Sequence, residues 1–154
     1  MVLVEYSAGL PCSADEAWKV LRGFGGIADW HPAIVKSGIE GEAEILQVGA
    51  VRRLALADGA VLRERLTEFD DGLRALAYVF EESPLPVDGY RAQVRVDEVA
   101  GLVDRCVVRW SAGFEVREAG TEAEFEGLVR ELIVQGHEGL EGVVRGLLCL
   151  DWQN

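Results

Sequence analysis

Glu64 stands between Leu62 and Leu66 in the stretch Leu62-Arg63-Glu64-Arg65-Leu66, whose alternation is that of a β-strand. Successive strand side chains point to opposite faces, so Glu64 shares an apolar face with the two leucines while Arg63 and Arg65 take the other. A carboxylate on such a face must find a partner or water, or neutralise with a raised pKa. A desolvated carboxylate suits proton abstraction next to a ketone, and a phenol or imidazole beside it would stabilise the resulting enolate. Tyr78, Tyr90 and His31 are the side chains that fit the donor role. This is cyclisation or dehydration chemistry, and it calls for no metal and no organic cofactor. The blander alternative has Glu64 satisfied by a buried tyrosine or arginine, the two tyrosines as amphipathic wall residues and His31 as the cap of a turn.

Other chemistries find little support. His31 and His137 lack ligand-spaced partners, and His137 is expected on the flank of the last helix. No G-x-S-x-G elbow, phosphate-cradling glycine loop or dinucleotide fingerprint occurs. Cys12, Cys106 and Cys149 are odd in number, widely spaced and without a C-x-x-C pair. A reducing cytoplasm fits them better than a disulfide framework, and Cys12 and Cys106 read as small core residues. Arg52, Arg53, Arg63 and Arg65 cluster along the chain and are expected mostly as charges on the outer sheet face. A formal charge of −12 argues against nucleic acid and anionic membrane surfaces as main partners. No basic segment leads into a long apolar run, and no run reaches membrane-spanning length.

At 154 residues, with no linker and no internal repeat, the chain reads as one domain, a monomer or a homodimer. The elements that position Glu64 follow from periodicity. Val2, Val4, Tyr6 and Ala8 open a strand that Pro11 ends, and Ser13 with Glu16 forms a capping box for a short helix ending at Gly23. A short apolar turn from Ile27 to Trp30 closes on His31-Pro32, and Val35, Ser37 and Ile39 make a second strand. Strands over 50–57, 60–69, 73–81, 90–99 and 103–117 then form a meander, with Asp58-Gly59 as a two-residue hairpin turn and Asp70-Asp71-Gly72 as the next turn. A proline-stiffened loop runs from Ser83 to Gly89.

The last stretch, 121–148, is a long helix with Thr121 as its N-cap. Phe125, Val129, Leu132, Gly136, Leu140, Val143 and Leu147 form its apolar stripe, and Trp152 beyond it covers the helix end. Such a helix needs a broad apolar surface. Strand parity supplies one from Leu54, Leu56, Leu66, Leu76, Tyr78, Phe80, Tyr90, Ala92 and Trp110. Gly136, with Gly139 near it, costs about 1 kcal/mol against alanine in a helix interior. It marks a kink or a close backbone approach, or else it leaves room for something between helix and sheet.

The pattern resembles the START/polyketide-cyclase superfamily, the helix-grip group that includes pollen allergens and abscisic-acid receptors. The resemblance rests on Ser13-x-Asp15-x-x-Trp18-x-x-Leu21-x-x-Phe24, Trp30-His31-Pro32, Leu62 to Leu66 with Asp70-Asp71, and Pro84-Leu85-Pro86 leading to Tyr90. It covers nearly the whole chain. It implies an α+β helix-grip fold in the order β-α-α-β6-α. A curved antiparallel sheet of about seven strands would hold the C-terminal helix over a cavity for a hydrophobic small molecule. Positions matching Glu64, Tyr78, Phe80, Tyr90 and Trp110 line the pocket in the receptor-like relatives, and Leu85 and Val87 fall at its mouth. The receptors' hormone-binding lysine has no counterpart near Trp30 to Pro32, so that hormone is not the expected ligand.

Three functions remain open at this level. The first is a cofactor-free cyclase or dehydratase for a polyketide-like or aromatic substrate, and the second a non-catalytic carrier of a hydrophobic molecule. The third is an interaction module whose interior is simply filled.

Overall fold

The computed structural model describes residues 1–41 and 47–153, and the side chains of Cys149 and Trp152 lie outside the described residues. Seven strands, β1 (Val2–Leu10), β2 (Ile34–Ile39), β3 (Val51–Leu56), β4 (Val61–Asp70), β5 (Ala75–Glu82), β6 (Val87–Val99) and β7 (Leu102–Val116), form one antiparallel sheet. Strands β2 to β7 are neighbours in chain order, and β1 pairs with β7 at the far edge. The helices are α1 (Ala14–Leu21), a 3₁₀ segment (Phe24–Asp29) and α2 (Glu122–Gln153). This is the expected sheet around a long C-terminal helix. Among the described residues, no helix is long and apolar enough to cross a membrane.

The local signals hold at most element ends. Ser13 and Glu16 close a full capping box on α1. Thr121 does not cap α2, because its hydroxyl donates to the Glu118 carbonyl at 2.6 Å instead. The apolar stripe of α2 is buried at Val129 and Leu140 and partly buried at Val143, with Val144 beside it fully buried, whereas Leu147, counted on that stripe, is exposed.

The hairpin between β3 and β4 departs from expectation in a way that matters for the site. A two-residue loop over Asp58-Gly59 would set Ala57 opposite Ala60 and Arg52 opposite Arg65. The loop has three residues instead, with Leu56 N–H donating to the Ala60 carbonyl and Gly59 at φ +88°. A type I turn closed by one left-handed residue has this form. The register moves by one, and Arg52 lies opposite Glu64.

Gly136 and Gly139 are explained by close approach. A methyl group at Gly136 would stand 2.9 Å from Cδ2 of His31. At Gly139 it would overlap the carbonyl oxygen of Trp30 and stand 2.7 Å from Cδ of Pro32. The Trp30-His31-Pro32 turn therefore seats against the bare backbone of α2. Gly139→Ala is expected to destabilise by about 1–3 kcal/mol even though alanine is the better helix former. Gly142→Ala, where nothing lies within 4 Å, is expected to stabilise slightly. Urea unfolding of the two variants checks this, and equal effects would remove the seating role of Gly139.

Candidate functional site

Between α2 and the inner sheet face lies a chamber of about 80 Å³. The interior is therefore not filled solid. Its apolar walls include Leu54, Leu56, Phe80, Trp110 and Leu85 from the sheet side, Trp30 from the turn, and Val129, Leu132 and Gly136 from α2. Glu64, Tyr78, Tyr90 and His31 also line it. Four other expected wall residues do not. Leu66 belongs to the main core, and Val87, Ala92 and Phe125 pack in a second core cluster with Val4 and Phe114. Leu66 and Ala92 have the inward strand parity expected of them, but all four side chains are taken up in core packing instead. Ile27, Ile34, Leu62 and Ile133 complete the apolar lining.

The largest correction concerns Arg52. It is not an outer-face charge but lines the chamber, 4% exposed, against Glu64 at 5%. Its Nε donates to Oε1 of Glu64 at 2.8 Å, Nη2 lies 2.8 Å from the same oxygen as an ion-pair contact, and Nη1 donates to the Phe24 carbonyl at 3.1 Å. The guanidinium carbon also lies 4.0 Å from the ring centroid of Phe24 and 4.5 Å from that of Tyr78. Glu64 is thus partnered rather than solitary, with Oε1 committed to Arg52. Oε2 takes no hydrogen bond from the described residues and is the open acceptor of the chamber. The clue lies in strand parity, since Arg52 has the same parity as the inward Leu54 and Leu56.

The two tyrosines stay neutral phenols. Burial, and then the charge of Glu64, pushes the Tyr78 hydroxyl up to about 12. Burial also carries Tyr90 well above the ordinary phenol value, helped by Tyr78 and Glu64. Tyr90 stacks flat on Phe80 at 3.8 Å. Trp30 is 8% exposed, and its indole N–H is buried without a partner among the described residues.

His31 has both ring nitrogens engaged. Ala33 N–H donates to Nδ1 at 3.2 Å, so the ring proton sits on Nε2 and is donated to the Leu132 carbonyl at 2.9 Å. The ring fastens the turn to α2 and has no free nitrogen for a ligand. His137, expected on the flank of α2, is buried there. Its Nδ1 accepts from Trp110 Nε1 at 3.1 Å and its Nε2 reaches the Gly9 carbonyl. Among the described residues, no three His, Cys, Asp or Glu side chains converge as metal ligands.

Desolvation, and secondarily the charge of Arg52, holds His31 below the ordinary histidine value, with the Leu132 carbonyl opposing. The unfolded chain therefore takes up this proton first as pH falls. The stability His31 contributes is complete above about pH 6.5 and is lost as pH drops through its folded value. The loss runs at up to about 1.4 kcal/mol per pH unit within that window. Denaturant titrations from about pH 7.5 downward should show it, and His31→Gln should flatten the slope. An unchanged slope would take His31 out of the acid response.

The model of the family described as polyketide cyclase/dehydrase and lipid transport matches residues 1–145. Among solved structures, the chain is 28% identical to the XoxI protein of Bacillus cereus, covering 96% of this chain and 98% of that one, with a TM-score of 0.82. The ZhuI aromatase/cyclase of Streptomyces sp. R1128 shares the fold at 22% identity, covering 93% of each chain, with a TM-score of 0.78. A START superfamily protein of Mycobacterium smegmatis does so at 15% identity, covering 96% and 99%, with a TM-score of 0.79. The architecture is the helix-grip fold of START-like proteins. No curated protein matches the sequence.

Proposed function

The chain belongs to the polyketide cyclase/dehydrase and lipid transport family, and on that premise we propose that it binds a hydrophobic carbonyl compound in the chamber and catalyses its cofactor-free cyclisation or dehydration. The observation that carries this reading is the Arg52–Glu64 pair. A buried ion pair is often no more stabilising than an apolar pair of the same volume. Two charges held in an otherwise oily wall, with one carboxylate oxygen unengaged, serve recognition and proton transfer better than stability.

The steps follow from the geometry. Oε2 of Glu64 accepts a proton from the carbon next to a substrate carbonyl. Negative charge then leaves Glu64 and develops on the substrate oxygen. Arg52 is released from its counter-charge at that moment, and it stabilises the enolate with its remaining N–H groups. The neutral hydroxyls of Tyr78 and Tyr90 supply further hydrogen bonds. Ring closure or loss of water follows, and the proton held on Glu64 is returned to the product or to the departing hydroxyl. The unpartnered N–H of Trp30 is an additional donor for a ligand oxygen.

A carrier reading draws on the same pair, because an ion pair also fixes the polar end of a ligand without reacting. A melting screen against aromatic and β-keto compounds identifies ligands by raised thermal stability. Glu64→Gln on a hit then separates the readings: turnover is lost and binding kept in an enzyme, while a carrier shows no turnover to lose.

A further inference from the structure

The surface grooves of the molecule differ in how their carboxylates are met. In the groove beside α1, Arg74 bridges Asp15 and Glu98. In the groove at the β5–β6 loop, Arg117 pairs with Asp88. A third groove, of about 280 Å³, lies between the β3–β4 hairpin, the Pro84–Leu85 loop and α2. It carries two carboxylates, Asp58 and Glu131, and no lysine or arginine lines it among the described residues. Asp58 Oδ1 accepts from the Ala60 backbone N–H at 2.9 Å, and Glu131 Oε1 from the Gln135 amide at 3.3 Å. Both bonds come from neutral donors, so the protein leaves the two charges uncompensated. An exposed acid alone needs no partner, since water serves it. These two, however, stand beside uncovered hydrocarbon: Leu56, Leu62, Pro84, Leu85 and Leu132, with Leu128 40% exposed.

We infer that this groove is a binding site for a small amphipathic amine. Its ammonium stands against Asp58 and Glu131, and a single ring or short alkyl body covers the leucines. One occupant thereby answers both features, the unmet charge and the bare apolar floor. The groove exceeds the roughly 150 Å³ cavity that takes one benzene, so a ring-sized body fits. The site is distinct from the Arg52–Glu64 pair and goes beyond the reaction proposed above, since the amine does not have to enter the chamber. The ammonium stays at the wet rim, so burial of the body carries the affinity, while charge selects among ligands of one shape.

The test titrates the full isotope-labelled chain by NMR near neutral pH with three probes of like shape: 2-phenylethylamine, 2-phenylethanol and 3-phenylpropanoate. The backbone amide signals of Asp58, Ala60, Leu128 and Glu131 should move. The amine should bind about three- to tenfold tighter than the alcohol, and the carboxylate more weakly than either. Raising salt from about 20 mM to about 0.5 M should bring the amine-to-alcohol ratio toward one. The double variant Asp58→Asn with Glu131→Gln should do the same while keeping alcohol binding, and Leu128→Ser should weaken amine and alcohol alike. Equal affinity for amine and alcohol, or no response to any probe, overturns the assignment. So does amine binding that Glu64→Gln abolishes and the double variant keeps, which would put the amine in the chamber. Self-association in sedimentation that Leu128→Ser dissolves would give the groove to a second copy. A lysine-containing peptide held more tightly than the free amine would give it to a protein partner, and either result overturns the small-amine site. All of these outcomes leave the proposed reaction to its own test.

Discussion

Arg52→Ala is expected to cost about 3–5 kcal/mol of folding stability, as breaking a buried ion pair generally does. The guanidinium is almost wholly buried, satisfies Glu64 and the Phe24 carbonyl, and lies on the rings of Phe24 and Tyr78. Alanine leaves Glu64 in an apolar wall with nothing to compensate its charge, and it leaves a hole between two aromatic rings. The double variant Arg52→Met with Glu64→Leu should recover most of the loss, because neither charge then has to leave water. Recovery stays incomplete, since the Phe24 carbonyl still loses its donor. Urea unfolding of both variants decides the matter. An Arg52→Ala protein within about 1 kcal/mol of wild type would contradict the tight pairing described above. A double variant that folds well yet binds no carbonyl ligand would place the value of the pair in function.

Glu64→Gln should lower kcat by about 10²–10⁴-fold on a substrate that the wild type turns over, the usual range for a lost general base. Glutamine is close to isosteric, and its amide oxygen still accepts from Arg52, so ligand affinity should stay within a few fold. That split between turnover and binding is the diagnostic. A loss of both together would mean that the substitution disturbed the wall rather than the chemistry. Unchanged turnover would remove Glu64 from the mechanism, and the carrier reading would then be favoured.

Much of this site is legible in the amino-acid sequence. Alternation alone puts Glu64, Tyr78, Phe80, Tyr90 and Trp110 on the inner face, because a strand has only two faces and one must be covered. Ser13 and Glu16 mark the start of α1 by a purely local signal. Arg52 escapes because its partner depends on the register of a hairpin, and register depends on loop length. Asp58-Gly59 is compatible with two loop lengths, and the shorter one sets Arg52 against another arginine. His31 and His137 escape for a different reason. Their hydrogen bonds reach across 101 and 128 residues to backbone carbonyls, and no local pattern encodes such partners. Leu66 and Ala92 show the limit of parity: it says which way a side chain points but not what lies in front of it.

The three-residue loop after β3 carries one more implication, for variation among homologous chains. A strand slipped by a single position presents its opposite side. With one of Ala57, Asp58 or Gly59 lost, only a two-residue turn of positive φ keeps Arg52 facing Glu64. Rebuilding the longer bend by borrowing Leu56 or Ala60 would set Arg52 against Arg63 or Arg65 instead. Substitutions that preserve a left-handed third residue leave the pairing alone. The span of this bend is therefore an inherited quantity more tightly constrained than its spelling. A related protein with a shortened bend there should not be assumed to have kept the salt-bridged acid at its centre.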